Sequence, residues 1–150
     1  MGVLSNLTEE IKNAMLAKDS VKLESLRAIK SAVLLAETSS GSSGKLSDQE
    51  AIKLLQRLVK QRKDSASIFK EQNRLDLAEP EEAQAKVISA FLPTQFTDKE
   101  IESAIADIIE TIEANGMKDM GKVMGIASKK LEGKADGKRI SDIVKKKLGA

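Results

Sequence analysis

The sequence predicts an all-α chain, and three observations carry that reading. No stretch alternates apolar and polar residues with a period of two for long enough to make a strand. Apolar residues instead recur at steps of three and four along most of the chain, the spacing of one face of a helix. Two capping boxes, Ser47-Asp48-Gln49-Glu50 and Thr97-Asp98-Lys99-Glu100, restart helix after a break.

Taken in order, Leu4, Leu7, Ile11, Ala14 and Met15 are spaced as a short amphipathic helix. Asp19 and Ser20 cap a second helix, with Leu23, Leu26, Ile29, Val33 and Leu34 on its apolar face. Residues 38–45 read as a loop, because the SSGSSG core offers nothing to pack. A third helix carries Ala51, Ile52, Leu55, Leu58, Val59, Ala66 and Phe69 inward through about seven turns. Arg62 falls inside that apolar stripe, as Lys30 and Glu37 do on the second helix. A buried guanidinium is costly without a partner. We therefore expect Lys30, Glu37 and Arg62 to form a structural interior polar cluster, with Glu37 meeting Arg62. The fourth helix covers residues 77–92, Pro80 being tolerated in a first turn or at a kink. Leu92-Pro93 ends it, because the residue before proline avoids helical angles. The chain accordingly divides into residues 1–94 and 95–150. Ile101, Ile105, Ile108 and Ile112 make a fifth stripe that stops at Asn115-Gly116. A sixth helix follows, and Asp136 caps a seventh, with Ile140, Ile143, Val144 and Leu148 facing inward.

Residues 117–138 carry the candidate site. At 100° per residue, Met117, Met120, Val123, Met124, Ala127 and Leu131 share one side. Lys118, Lys122 and Lys129 fall opposite, within about 40° of one another, with Gly125 among them and Gly121 beside. A glycine inside a helix costs about 0.5–1 kcal/mol relative to alanine, so two of them one turn apart need a reason. Either a neighbouring helix packs closely there, or a phosphate backbone approaches between flanking lysines. Asp119 is the candidate cap of this helix, which would leave Lys118 just outside it. The closing GKADGK turn adds Lys134, Lys138 and Arg139 to the candidate nucleic-acid contacts.

Net charge is only +2, but it is unevenly spread. Residues 97–115 hold one lysine against six acids, residues 117–150 ten bases against four acids, and residues 52–63 five bases and no acid. Segregation of this kind steers anionic partners. Cysteine and histidine are absent, which removes disulfides, the thiol nucleophile, the usual general base and the commonest zinc ligands. Tyrosine and tryptophan are absent too, so base stacking on Phe69, Phe91 and Phe96 alone is not expected. No apolar run nears the roughly 18 residues of a membrane span. The N-terminus lacks a charged segment followed by a long apolar core. The composition thus leads us to expect a cytoplasmic protein with no cofactor, no metal and no membrane partner.

The segments LRAIKSAV, LVKQRKDSASIF, AFLPTQFTDKEI and KDMGKVMG…GKADGK…SDIVKKKL resemble the GatB/YqeY family in order and over the full length. The resemblance implies a four-helix N-terminal bundle followed by a smaller three-helix C-terminal bundle. The latter is similar to the tail of the B subunit of the tRNA-dependent amidotransferase, which contacts tRNA. Lys118, Asp119, Met120, Gly121, Lys122, Val123, Met124, Gly125, Gly133, Ala135, Asp136 and Gly137 match the family pattern. Where this chain has Ser128, relatives often carry a proline before a lysine. The resemblance also implies tRNA as a partner, together with an aminoacyl-tRNA synthetase or an amidotransferase.

The family label is that of a carbon–nitrogen ligase using glutamine as amide donor, yet no catalytic residue can be named. Releasing ammonia from glutamine needs an activated nucleophile, and neither Cys–His nor Ser–His exists here. Ser42-Ser43-Gly44-Lys45 lies in a loop and is no embedded serine pair. It is no phosphate-binding P-loop either, with Ser39 and Leu46 at positions that require glycine and a hydroxyl. Three readings follow: a tRNA-binding accessory module, a subunit or remnant of the amide-transferring ligase, and a helical protein-interaction module. We prefer the first.

Overall fold

Local capping sets the limits of the helices in the computed structural model, which describes residues 2–39 and 44–149. Among these residues α-helix and a short 3₁₀ turn are the only regular elements. Helix α1 (Leu7–Ala17) ends where Lys18 turns left-handed at φ 56°. Asp19 then accepts a hydrogen bond from the Lys22 N–H (3.1 Å) and starts α2 (Ser20–Thr38). Both halves of the Ser47 capping box form ahead of α3 (Asp48–Glu71). The serine–glycine loop lies mostly outside the described residues, and with it Ser42 and Ser43.

Helix α4 spans Leu75–Ser89, starting two residues before the expected position and stopping three short of it. Pro80 is therefore its sixth residue, where the missing N–H deprives the Asp76 carbonyl of a helical partner. These four helices form one unit, residues 1–92, around the fully buried Leu26, Ile29, Leu55 and Ile88. Ser25 is buried among them and spends its hydroxyl on the Val21 carbonyl at 2.8 Å. Met15 and Leu34, placed inward by the wheel, are 54% and 52% exposed.

The expected interior polar cluster does not exist. Lys30 is exposed. Glu37 is half-buried and accepts from the Leu46 N–H at 3.1 Å. Arg62 donates to Gln84 Oε1 (3.0 Å) and to the Leu58 carbonyl (3.2 Å). A helical wheel gives the side of α3 on which Arg62 lies, not the helix it meets. That helix is α4, and a neutral amide with a spare backbone lone pair satisfies the guanidinium without a buried carboxylate.

Residues 93–150 form the second unit. It holds α5 (Asp98–Ile112), a 3₁₀ turn at Met117–Asp119, α6 (Met120–Lys130) and α7 (Gly137–Gly149). Thr97 and Glu100 close the second capping box. Helix α5 stops at Ile112, before Asn115-Gly116, because Glu113 adopts φ 54° and the Ala114 N–H reaches back to the Ile109 carbonyl at 3.0 Å. Ile101, Ile105 and Ile108 meet Val123, Ala127 and Leu131 of the α6 region and Ile140, Ile143, Val144 and Leu148 of α7 in one core.

Thr97→Ala removes both reciprocal bonds of that box. We expect it to destabilise the second unit by about 1 kcal/mol, read as a lower urea midpoint for helix loss. An unchanged midpoint would mean that α5 does not depend on its cap.

Candidate nucleic-acid interface

Val123 and Ala127 are fully buried, and they orient α6. With those two side chains against α5 and α7, the 100° step turns Gly121, Lys122, Gly125 and Lys129 to solvent, and all four are exposed. Both glycines lie in right-handed helix, so neither is demanded by backbone conformation. A Cβ built on either would meet no heavy atom within 4 Å. Close packing inside this chain therefore does not account for them.

The N-terminus of α6 is built differently from expectation. Asp119 occupies the capping position, but its carboxylate makes no bond to the N–H groups of α6. It accepts instead from the Asn115 N–H at 2.7 Å, which folds the 113–119 connection onto itself. Lys118 consequently sits in the 3₁₀ turn, exposed, one residue ahead of Asp119. Two large apolar side chains also reach solvent, Met117 (49%) and Ile126 (40%). The wheel places Ile126 outside the α6 core stripe, which is the signal that sequence reasoning passes over.

The GKADGK turn is fastened to the start of α5. Gln95 Nε2 donates to the carbonyls of Pro93 and Gly133, each at 2.7 Å. The Phe96 N–H donates to the Lys134 carbonyl at 2.8 Å, and the Lys134 ammonium stands 5.4 Å from the Phe96 ring centroid. Gly133 takes φ 78°, a conformation that favours glycine. Asp136 accepts from the Lys138 N–H at 3.2 Å and leads into α7, while Lys138 itself is exposed.

Arg139 has to be removed from the candidate contacts. Its guanidinium donates twice to Asp98 Oδ1 (3.2 and 2.6 Å) and once to the Phe96 carbonyl (3.2 Å). A partner 41 positions earlier is invisible to local spacing, and this one turns a supposed phosphate contact into a brace between α5 and α7. The candidate face that remains is Lys118, Gly121, Lys122, Gly125 and Lys129, with Lys134 and Lys138 on the adjoining turn. Among the described residues no group of acids is placed to hold a metal ion, and no helix is long and apolar enough to cross a membrane.

These features define a helical chain that shows bare backbone and lysines on one short helix. The chain belongs to the Yqey-like protein family, whose model matches residues 4–148. It is 34% identical over 116 residues to altered inheritance of mitochondria protein 41, mitochondrial, of Clavispora lusitaniae, an alignment covering 75% of this chain and 66% of that protein. The protein of the same name in Pyrenophora tritici-repentis is 30% identical over 152 residues, covering 99% of this chain and 82% of the relative. A shorter stretch of 73 residues is 40% identical to one of the glutamyl-tRNA(Gln) amidotransferase polypeptides of Thermococcus gammatolerans, covering 46% of this chain but 12% of that much longer protein.

The fungal names correct the cytoplasmic expectation, since they point to mitochondria. That expectation rested on a missing apolar export segment. Organelle-targeting sequences are amphipathic and have no such segment to miss.

Gly125→Ala is expected to stabilise the chain by about 0.5–1 kcal/mol, because the residue is mid-helix and the added methyl meets open space. Arg139→Met should cost about 1 kcal/mol, through the lost bonds to Asp98 and the Phe96 carbonyl. Thermal unfolding of the two variants should therefore move in opposite directions. A destabilised Gly125→Ala would show that the glycine is needed inside the fold.

Proposed function

We propose that the second unit binds tRNA along the exposed side of α6, reading backbone shape instead of sequence. One observation carries this reading. Gly121 and Gly125 weaken a short helix at a place where nothing in the chain uses the space they leave. That leaves an external partner as the user of the space. Lysines at 118, 122 and 129 border the bare backbone, and no acidic residue occurs within α6, so the partner is anionic. Phosphates approached by ammonium groups and backbone fit such a surface, and no aromatic platform is needed. Similarity to a glutamyl-tRNA(Gln) amidotransferase polypeptide supports tRNA over other polyanions, and supports a role beside an amide-transferring enzyme. The chain's own part is to hold the RNA. With no thiol and no imidazole, it brings no activated nucleophile to glutamine.

A second reading draws on Met117 and Ile126, half-exposed near the glycines. A partner helix crossing at Gly121 and Gly125 would cover both, since small residues allow close approach of backbones.

Titration of the chain with bulk tRNA across a salt series separates the two. Under the first reading log K falls linearly with log salt. Lys122→Met with Lys129→Met then lowers the slope by about two, at close to one per phosphate contact. Gly125→Ala weakens binding although it stabilises the fold. Absence of tRNA binding at low salt, or a slope untouched by the lysine changes, would remove tRNA from consideration. Retention of a protein partner by the lysine double variant would support the helix-docking reading.

A further inference from the structure

We propose that the cleft between α3 and α4 binds a small organic anion, an apolar body bearing one phosphate or carboxylate group. The two helices are joined by residues 72–74 and pack against each other as a hairpin. They meet there through Ala66 and Ala85, each 2% exposed. Two methyl groups do not fill the space between helix backbones, and a cavity of about 500 Å³ stays open above them. Small-molecule sites commonly measure roughly 300–1,000 Å³.

The walls are Lys63, Ser67 and Lys70 from α3, and Glu82, Lys86 and Ser89 from α4. Each set steps by four and three residues, so each forms a single face of its helix. Their charges do not balance. Glu82 is held by Lys70 in an ion pair. Lys63 and Lys86 make no ion pair with any described residue, and the hydroxyls of Ser67 and Ser89 have no described partner. The cleft thus offers two ammonium groups and two hydroxyls, and its one carboxylate is already engaged. A ligand must therefore supply negative charge and acceptor oxygens. A bare inorganic ion would leave the alanine floor uncovered, which is why the occupant carries an apolar body. The site shares no residue with the α6 face, so either proposal can fail without the other.

Phenyl phosphate serves as the probe, titrated into the full-length chain labelled with ¹⁵N. We expect saturable shifts at the amides of Ala66, Ser67 and Ala85, and weaker binding of inorganic phosphate. Lys63→Met with Lys86→Met should weaken phenyl phosphate roughly tenfold, about 1.4 kcal/mol. The same loss of charge at Lys122 and Lys129 should leave its affinity unchanged. Equal weakening by both pairs would mean that net charge alone attracts the probe, and would overturn the proposal. So would the absence of a saturable shift at millimolar probe, or shifts of these amides by RNA and not by phenyl phosphate. Helix content of each variant is checked by circular dichroism. Should the lysine pair unfold, Ser67→Ala with Ser89→Ala provides the same comparison through the lost hydroxyls.

Discussion

Burial of Val123 and Ala127 between α5 and α7 is the constraint on which the second unit depends, because it decides which side of α6 meets water. Helix α6 has 11 residues, too few for stability by its own propensity. It persists because that stripe, continued by Leu131, is locked into a core of isoleucines. A helix held so firmly by one side is free to carry poor helix formers on the other. Gly121 and Gly125 are tolerated for this reason, and the lysines stand away from the core.

The same small core explains the bracing around it. A unit this size buries a modest fraction of its surface, so hydrogen bonds between loops carry more of the burden of uniqueness. Gln95, Phe96 and Arg139 tie residues 93–98 to residues 133–139 through backbone carbonyls at Pro93, Phe96, Gly133 and Lys134. These contacts use side-chain polarity where apolar area is scarce. They also fix the path of the turn that places Lys134 and Lys138.

Much of the fold is legible in the sequence because its signals are local. Three- and four-residue spacing reveals the stripes of α3, α5, α6 and α7, and the capping boxes at Ser47 and Thr97 mark two helix starts. What escapes depends on contacts distant in sequence. Spacing alone pairs Arg62 with Glu37, whereas the neighbour across α3 is α4 and its Gln84. Arg139 reads as a free cation because Asp98, which holds it, lies 41 positions away. Glu113, an ordinary residue in left-handed conformation, ends α5 before the Asn-Gly signal can. The spacing of Gly121 and Gly125 is visible, but the emptiness around them is not, since a sequence does not state what lies within 4 Å of an absent atom.

Charge placement gives that emptiness a direction. Within the second unit α5 carries five acids and one lysine, whereas α6 and α7 together carry eight bases and one acid. Opposite charge is therefore gathered on different helices of one small bundle, which creates a lasting field across it. Such a field repels polyanions from α5 and draws them toward α6, falling off over about 8 Å at physiological salt. It orients an approaching chain of phosphates before any contact forms. The glycines matter only after that step, when the backbone of α6 has to be reached. Steering by charge and admission by small residues are thus separable, and charge removal acts on the first while a single added methyl acts on the second.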